Sequence, residues 1–234
     1  YRVNAVNAAG PSAYISGSST TLLSLPDAPG NLTFTNITTN SIQLNWDDLS
    51  DNETGFEIRR SISTTGPYTL EHTTVAGVES YNDTDLDEDT EYFYRVNAVN
   101  SAGPSLYISG SATTLLSVPD APTGLTFTNI TTSSIRLNWE DNSDNESGFE
   151  IRRSISAAGP YTLAHTTGAG IESYNDTDLD DNTEYFYRVN AVNAAGPSAY
   201  ISGSATTQLS LPDAPSNFEG DATNICTVEL TWKD

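Results

Sequence analysis

A period of 93 residues runs about two and a half times through this 234-residue chain. Leu-Pro-Asp-Ala-Pro, from Leu25 to Pro29, returns as Val-Pro-Asp-Ala-Pro from Val118 to Pro122, and again from Leu211 to Pro215. The segment Tyr-Arg-Val-Asn-Ala-Val-Asn starts at Tyr1, Tyr94 and Tyr187, and Trp46, Trp139 and Trp232 keep the same step. A long fixed period means that each copy is one folding unit, so a feature found in every copy belongs to the unit. The repeat predicts two complete domains, residues 25–117 and 118–210. Residues 1–24 then supply the C-terminal part of a preceding unit, and residues 211–234 the N-terminal part of a following one. A unit of this length is large enough for its own core.

Within a unit the apolar pattern is short and alternating, as half-buried strands require. Leu32 and Phe34 alternate with threonines, and Ile42, Leu44 and Trp46 share one face. Phe56 and Ile58 follow a polar loop, Gly66-Pro67 turns the chain towards Tyr68 and Leu70, and Tyr81 marks a short strand. Tyr92, Tyr94, Val96 and Ala98 line one face of a long strand, and Gly103-Pro104 precedes a last strand around Tyr107 to Ser109. Seven short strands and no helix predict an all-β, two-sheet antiparallel sandwich.

These residues resemble a fibronectin type III domain. The resemblance rests on Trp46, Leu86-x-x-x-Thr90-x-Tyr92, Tyr94-Arg95-Val96-x-Ala98 and Asn100-x-x-Gly103-x-Ser105. Trp139, Leu179, Thr183, Tyr185, Tyr187, Val189, Ala191 and Gly196 repeat it. The run from Asp141 to Ser154 is similar to versions common in bacterial secreted and surface proteins. The resemblance implies tandem immunoglobulin-like sandwiches, with Tyr92 and Tyr185 as tyrosine corners whose hydroxyls bond nearby backbone. The two complete units differ at 18 of 93 positions, for example Glu71 against Ala164 and Leu106 against Ala199. Near-identity of this kind fits an array whose output is length or multivalency.

The formal charge is -22, with Lys233 as the sole lysine. Such a field repels nucleic acid and anionic membranes and favours solubility. No apolar run reaches the roughly 18 residues of a transmembrane helix. Cys226 has no partner for a disulfide within the chain.

Catalytic chemistry finds little support. The two histidines, His72 and His165, are one position in two copies, and Glu71 beside the first becomes Ala164 beside the second. Cys226 has no recognisable base nearby. Carboxylates recur with the repeat in polar loops, whereas glycoside hydrolysis needs an acid and a base facing one another across a cleft. No catalytic, cofactor-binding or metal-ligating residue is assigned, and the expectation is a non-enzyme.

Two acidic loops are weighed for calcium. Asp83, Asp85, Asp87 and Asp89 alternate, echoed by Asp176, Asp178 and Asp180; Asp47, Asp48, Asp51 and Glu53 are matched by Glu140, Asp141, Asp144 and Glu146. The first run departs from an EF-hand loop, with Glu88 and Asp181 in place of the turn glycine. A solvated loop is the expected state. Seven Asn-x-Ser/Thr sequons, at Asn31, Asn36, Asn52, Asn82, Asn129, Asn145 and Asn175, would sit on loops or strand ends. The tryptophans and tyrosines are read as core rather than as a carbohydrate platform.

The functional expectation is a non-catalytic array of extracellular or cell-surface modules: a stalk, adhesin shaft or filament. Its partners are neighbouring repeats of the same polypeptide, with self-association into fibres as an extension. The alternatives are spacer modules of a secreted polysaccharide-degrading enzyme, and a multivalent protein-binding or calcium-binding surface module. The partial units at each end would leave Val3, Ala5, Leu230 and Trp232 uncovered, which predicts a window cut from a longer polypeptide.

Overall fold

In the computed structural model the described residues are 1–214, 216–224 and 227–233. Cys226 lies outside them, as does the side chain of Trp232. The described residues are all β, with no helix.

The first complete repeat forms seven strands: β1 (Gly30–Thr35), β2 (Ile42–Asp47), β3 (Gly55–Ser61), β4 (Thr69–Thr73), β5 (Ser80–Asp83), β6 (Glu91–Asn100) and β7 (Ile108–Thr113). One antiparallel sheet runs β1-β2-β5, and the other runs β4-β3-β6-β7. Gly103 and Pro104 also pair with the end of β6, opposite Asn100 and Val99. The last strand is therefore interrupted between residues 104 and 108, and Tyr107 stands just before the resumed strand rather than within it. Tyr68 likewise precedes β4.

The alternation read from the sequence is the alternation of burial. Ile42, Leu44 and Trp46 of β2 are buried, while Gln43 and Asn45 between them are only partly covered. Phe56 and Ile58 face them from β3, and Tyr92, Tyr94, Val96 and Ala98 from β6. Trp46 is 3% exposed and its ring meets Phe56 at 5.5 Å with a 54° tilt. Each aliphatic or Phe side chain so buried contributes roughly 1.5–3 kcal/mol. Leu86, on the connection between the sheets, closes the core at 5% exposure. Gly55 opens β3 where a side chain could not fit, because a Cβ there would lie 2.0 Å from the Thr74 carbonyl oxygen. The close approach lets Thr74 Oγ1 accept from Phe56 N–H at 3.0 Å, and Thr74 N–H donate to the Phe56 carbonyl at 2.9 Å.

The second repeat reproduces this with β8 (Thr123–Thr128), β9 (Ser134–Glu140), β10 (Gly148–Ser154), β11 (Thr162–Thr166), β12 (Ser173–Thr177), β13 (Glu184–Asn193) and β14 (Ile201–Thr206). The sheets run β8-β9-β12 and β11-β10-β13-β14. Trp139 is buried at 4%, at the place equivalent to Trp46.

Each repeat is also fastened at its margins. The Ser24 carbonyl accepts from Asn100 Nδ2 at 2.9 Å and from Asn52 Nδ2 at 3.3 Å, and Leu115 N–H donates to the Thr38 carbonyl at 2.9 Å. In the second repeat Ser117 accepts from Asn193 at 2.8 Å and Asn145 at 3.3 Å, and Gln208 N–H donates to Thr131 at 2.9 Å.

The partial units are slighter. Arg2–Val3 pairs with Ile15–Ser16, and Val6–Asn7 with Gly10–Pro11. Val3, Val6 and Ile15 are exposed. Ser216–Asn224 pairs antiparallel with Thr227–Lys233, and Leu230 is half exposed.

Candidate functional site

Three tyrosine environments recur in both repeats beside the ring pairs with histidine. Tyr92 is buried and its hydroxyl accepts a hydrogen bond from the Asp87 backbone N–H at 2.9 Å; Tyr185 does the same with Asp180 at 2.9 Å. These are the tyrosine corners that the family resemblance implies. Tyr94 is fully buried and donates to Asp83 Oδ2 at 2.9 Å, as Tyr187 does to Asp176 at 2.8 Å. Burial, the Asp83 charge and that hydrogen bond hold the Tyr94 phenol protonated well above its ordinary range, and Tyr187 behaves alike beside Asp176.

Asp83 is thereby removed from the acidic loop to which the alternation assigned it. As the last residue of β5 it turns inward at 2% exposure and receives Arg60 Nη1 on both carboxylate oxygens at 2.9 Å. Asp176 and Arg153 repeat the pair. Asp85, Asp87 and Asp89 remain exposed, with Asp85 and Asp89 at φ of 59° and 47°. In the other acidic loop, Asp48 Oδ1 accepts from Ser50 N–H at 3.0 Å and Glu53 Oε1 from Gly77 N–H at 3.3 Å. Glu140 accepts from Thr123 Oγ1, and Asp141 and Glu146 accept from the backbone of Ser143 and Gly170. Asp48 and Asp141 brace their own loops, and Glu53, Glu140 and Glu146 tie to neighbouring segments. Among the described residues, no three Asp, Glu, His or Cys side chains converge as a metal site.

His72 and His165 are exposed strand histidines, as the sequence suggested. Each stacks on a tyrosine across the gap between the two sheets: His72 on Tyr81 at 4.7 Å and His165 on Tyr174 at 4.5 Å. No Ser or Cys nucleophile is hydrogen-bonded to either among the described residues. Of the sequons, Asn52 and Asn145 direct their amides at Ser24 and Ser117, whereas Asn82 and Asn175 are exposed.

The third tyrosine environment was missed by sequence reasoning. The Arg95 guanidinium lies between two rings, 3.8 Å from the Tyr68 centroid and 4.3 Å from that of Tyr107. Arg188 lies between Tyr161 and Tyr200 at 3.9 and 4.3 Å, and Arg2 covers Tyr14 at 4.4 Å. The signal was present as a constant interval: each arginine of the Tyr-Arg-Val motif is followed 12 positions later by a tyrosine. The third member, Tyr68 or Tyr161, comes from a different strand connection. Tyr68, Phe93, Arg95 and Tyr107 line a shallow groove of about 270 Å³ on the outer face of the larger sheet.

Comparisons with known proteins agree with this architecture. A family model of the fibronectin type III domain matches residues 27–111 and 120–204. Chitinase A1 of Niallia circulans is 29% identical over 184 residues, covering 73% of this chain and 24% of that protein. Protein sidekick-1 of Mus musculus is 30% identical over 229 residues, 89% of this chain and 10% of that protein. Exoglucanase B of Cellulomonas fimi is 28% identical over 230 residues, 91% of this chain and 20% of that protein. The chain thus spans a quarter or less of the length of these relatives. Among solved structures, a two-domain fibronectin type III segment from chicken tenascin covers 76% of this chain and 99% of its own, with 19% identity and a TM-score of 0.46. With two matched segments filling most of the chain and the expected sheet order in both, the chain belongs to the fibronectin type III family.

Proposed function

We propose that these modules serve as a non-catalytic, extracellular array, a shaft or stalk whose output is reach and repeated weak contact. The observation that carries this reading is the duplication of chemistry. The buried Asp, the paired Arg, the corner tyrosine and the stacked histidine each occur once per repeat and are held by the repeat's own architecture. A strand of eight to ten residues spans roughly 30 Å, so each added repeat extends reach by about that much. Small-angle scattering on chains of two, three and four complete repeats tests it. The maximum dimension should grow by a constant step per repeat, and a dimension that saturates would count against a shaft.

A second reading is favoured by the similarity to a chitinase and an exoglucanase. In this reading the array separates the domains of a secreted polysaccharide-degrading enzyme. The gene's full reading frame distinguishes the two: a glycosidase domain supports the spacer, further repeats or a surface anchor the shaft. In either case the modules themselves turn over no substrate. Hydrolysis of a glycan, ester or peptide by residues 25–210 would overturn that.

A further inference from the structure

Arg95 differs from the other cations of its module. Arg59 meets Glu57 at 2.9 Å, and Arg60 meets Asp83 and Glu71 at 2.9 and 3.1 Å. The Arg95 side chain meets no carboxylate and makes no hydrogen bond among the described residues, and its Nε is sealed from solvent without an acceptor. Arg188 likewise meets no carboxylate and has its Nε sealed without an acceptor, whereas Arg136 of its module, also without a carboxylate, bonds Asn138 and Ser173. In a chain with 31 acidic residues against nine basic ones, a cation left without an acid in both modules is notable on charge grounds alone.

The geometry defines what could complete it. The Tyr68 and Tyr107 rings lie against the guanidinium and its Nε is sealed, so the Nη groups are the donors left to match a planar carboxylate by two parallel hydrogen bonds. Around it the groove offers the Phe93 ring and the hydroxyls of Thr64 and Ser109; the second module keeps Phe186 and Ser202 and has Ala157 in place of Thr64. Aromatic carbon takes up the C–H face of a sugar ring, and hydroxyls take up its O–H groups. A volume of about 270 Å³ on an open sheet face suits one or two pyranose rings. We propose that the Tyr–Arg–Tyr groove is a carbohydrate subsite for a uronic acid residue of a polysaccharide, present once per module. The guanidinium edge receives the carboxylate, and the tyrosines and hydroxyls hold the ring. A polymer with uronates along its length engages successive modules and gains by avidity. The charge of -22 opposes a polyanion at a distance, but screening confines that repulsion to about 8 Å at physiological salt, and the pairing acts at contact.

The test uses the whole isotopically labelled chain and follows the side-chain Nε–Hε resonances of Arg95 and Arg188 during titration with trigalacturonate. Saturable shifts at millimolar concentration are expected, with none from galactotriose, which has the ring but no carboxylate. Arg95→Gln with Arg188→Gln should weaken binding by about tenfold or more. Arg59→Gln with Arg152→Gln makes the same change in net charge on paired arginines and should leave binding within about twofold. Arg95→Lys with Arg188→Lys keeps the charge but loses the fork, and should weaken binding by an intermediate factor while the melting temperature confirms the fold. No shift at about 10 mM trigalacturonate, equal shifts from galactotriose, or equal loss in the Arg59/Arg152 variant would each overturn the proposal. Equal binding of a triglutamate peptide would overturn the saccharide assignment and leave a carboxylate site for protein.

Discussion

Arg60 and Asp83 join the two sheets of the first module, the arginine from the larger sheet reaching both carboxylate oxygens of a residue on the edge strand of the smaller one at 2.9 Å. Tyr94 adds a third hydrogen bond to the same carboxylate. A buried charge deprived of its partner is costly, whereas an ion pair replaced whole by apolar groups often is not. Arg60→Met alone should therefore destabilise the module by about 3 kcal/mol, and Arg60→Met combined with Asp83→Leu should cost less. Urea unfolding of the two variants is the measurement, and the reverse order would show that the pair contributes little.

The buried phenols set an alkaline limit. Tyr94 and Tyr187 keep their protons in the folded chain at pH values where the unfolded chain, with pKa near 10.0, has lost them. The folded state then binds more protons, so stability is intact below about pH 10 and falls above it, by about 1.4 kcal/mol per pH unit for each tyrosine. Melting temperatures between pH 9 and 11.5 should turn downward near pH 10. Tyr94→Phe with Tyr187→Phe should flatten that slope.

Tyr92→Phe keeps the buried ring but leaves the Asp87 N–H without an acceptor. The expected cost is about 1–2 kcal/mol. Amide exchange at Asp87 should accelerate more than exchange at the centre of β6. Uniform acceleration would indicate that the corner is not a local clamp.

Calcium offers a fourth check. The acidic loops spend their best-placed carboxylates on backbone N–H groups and on Arg60 and Arg153. Millimolar calcium should raise the melting temperature no more than magnesium or sodium chloride at equal ionic strength, because screening acts on net charge alone. A calcium-specific rise would reveal a site bound only by the folded state.

Much of the fold was legible because it depends on local alternation. Trp46, Leu44 and Ile42 declare a buried face by spacing two, and Leu86 and Tyr92 mark the corner by the spacing of their motif. The partnerships that matter chemically were not legible. Arg60 and Asp83 lie 23 positions apart on different sheets, and their meeting depends on strand registers that no local pattern encodes. Asp83 therefore reads in sequence as one more loop acid, although β5 delivers it to the interior. Tyr68 and Arg95 come together for the same reason, the tyrosine from the connection between β3 and β4 and the arginine from β6.

The bonds from Asn52 and Asn100 to Ser24, and from Leu115 to Thr38, lie partly outside the stretch 27–111 that the family pattern recognises. Cutting the gene at those limits would sever the fastenings at both margins and yield a looser piece than the one nature copies. Copying at the 93-residue period instead preserves every fastening, because Ser117 at the end of one unit supplies for the next the anchor that Ser24 supplies for the first. Lengthening or shortening by whole periods then requires no new junction, so arrays of this sequence can vary in copy number by simple recombination while each repeat keeps its own fold.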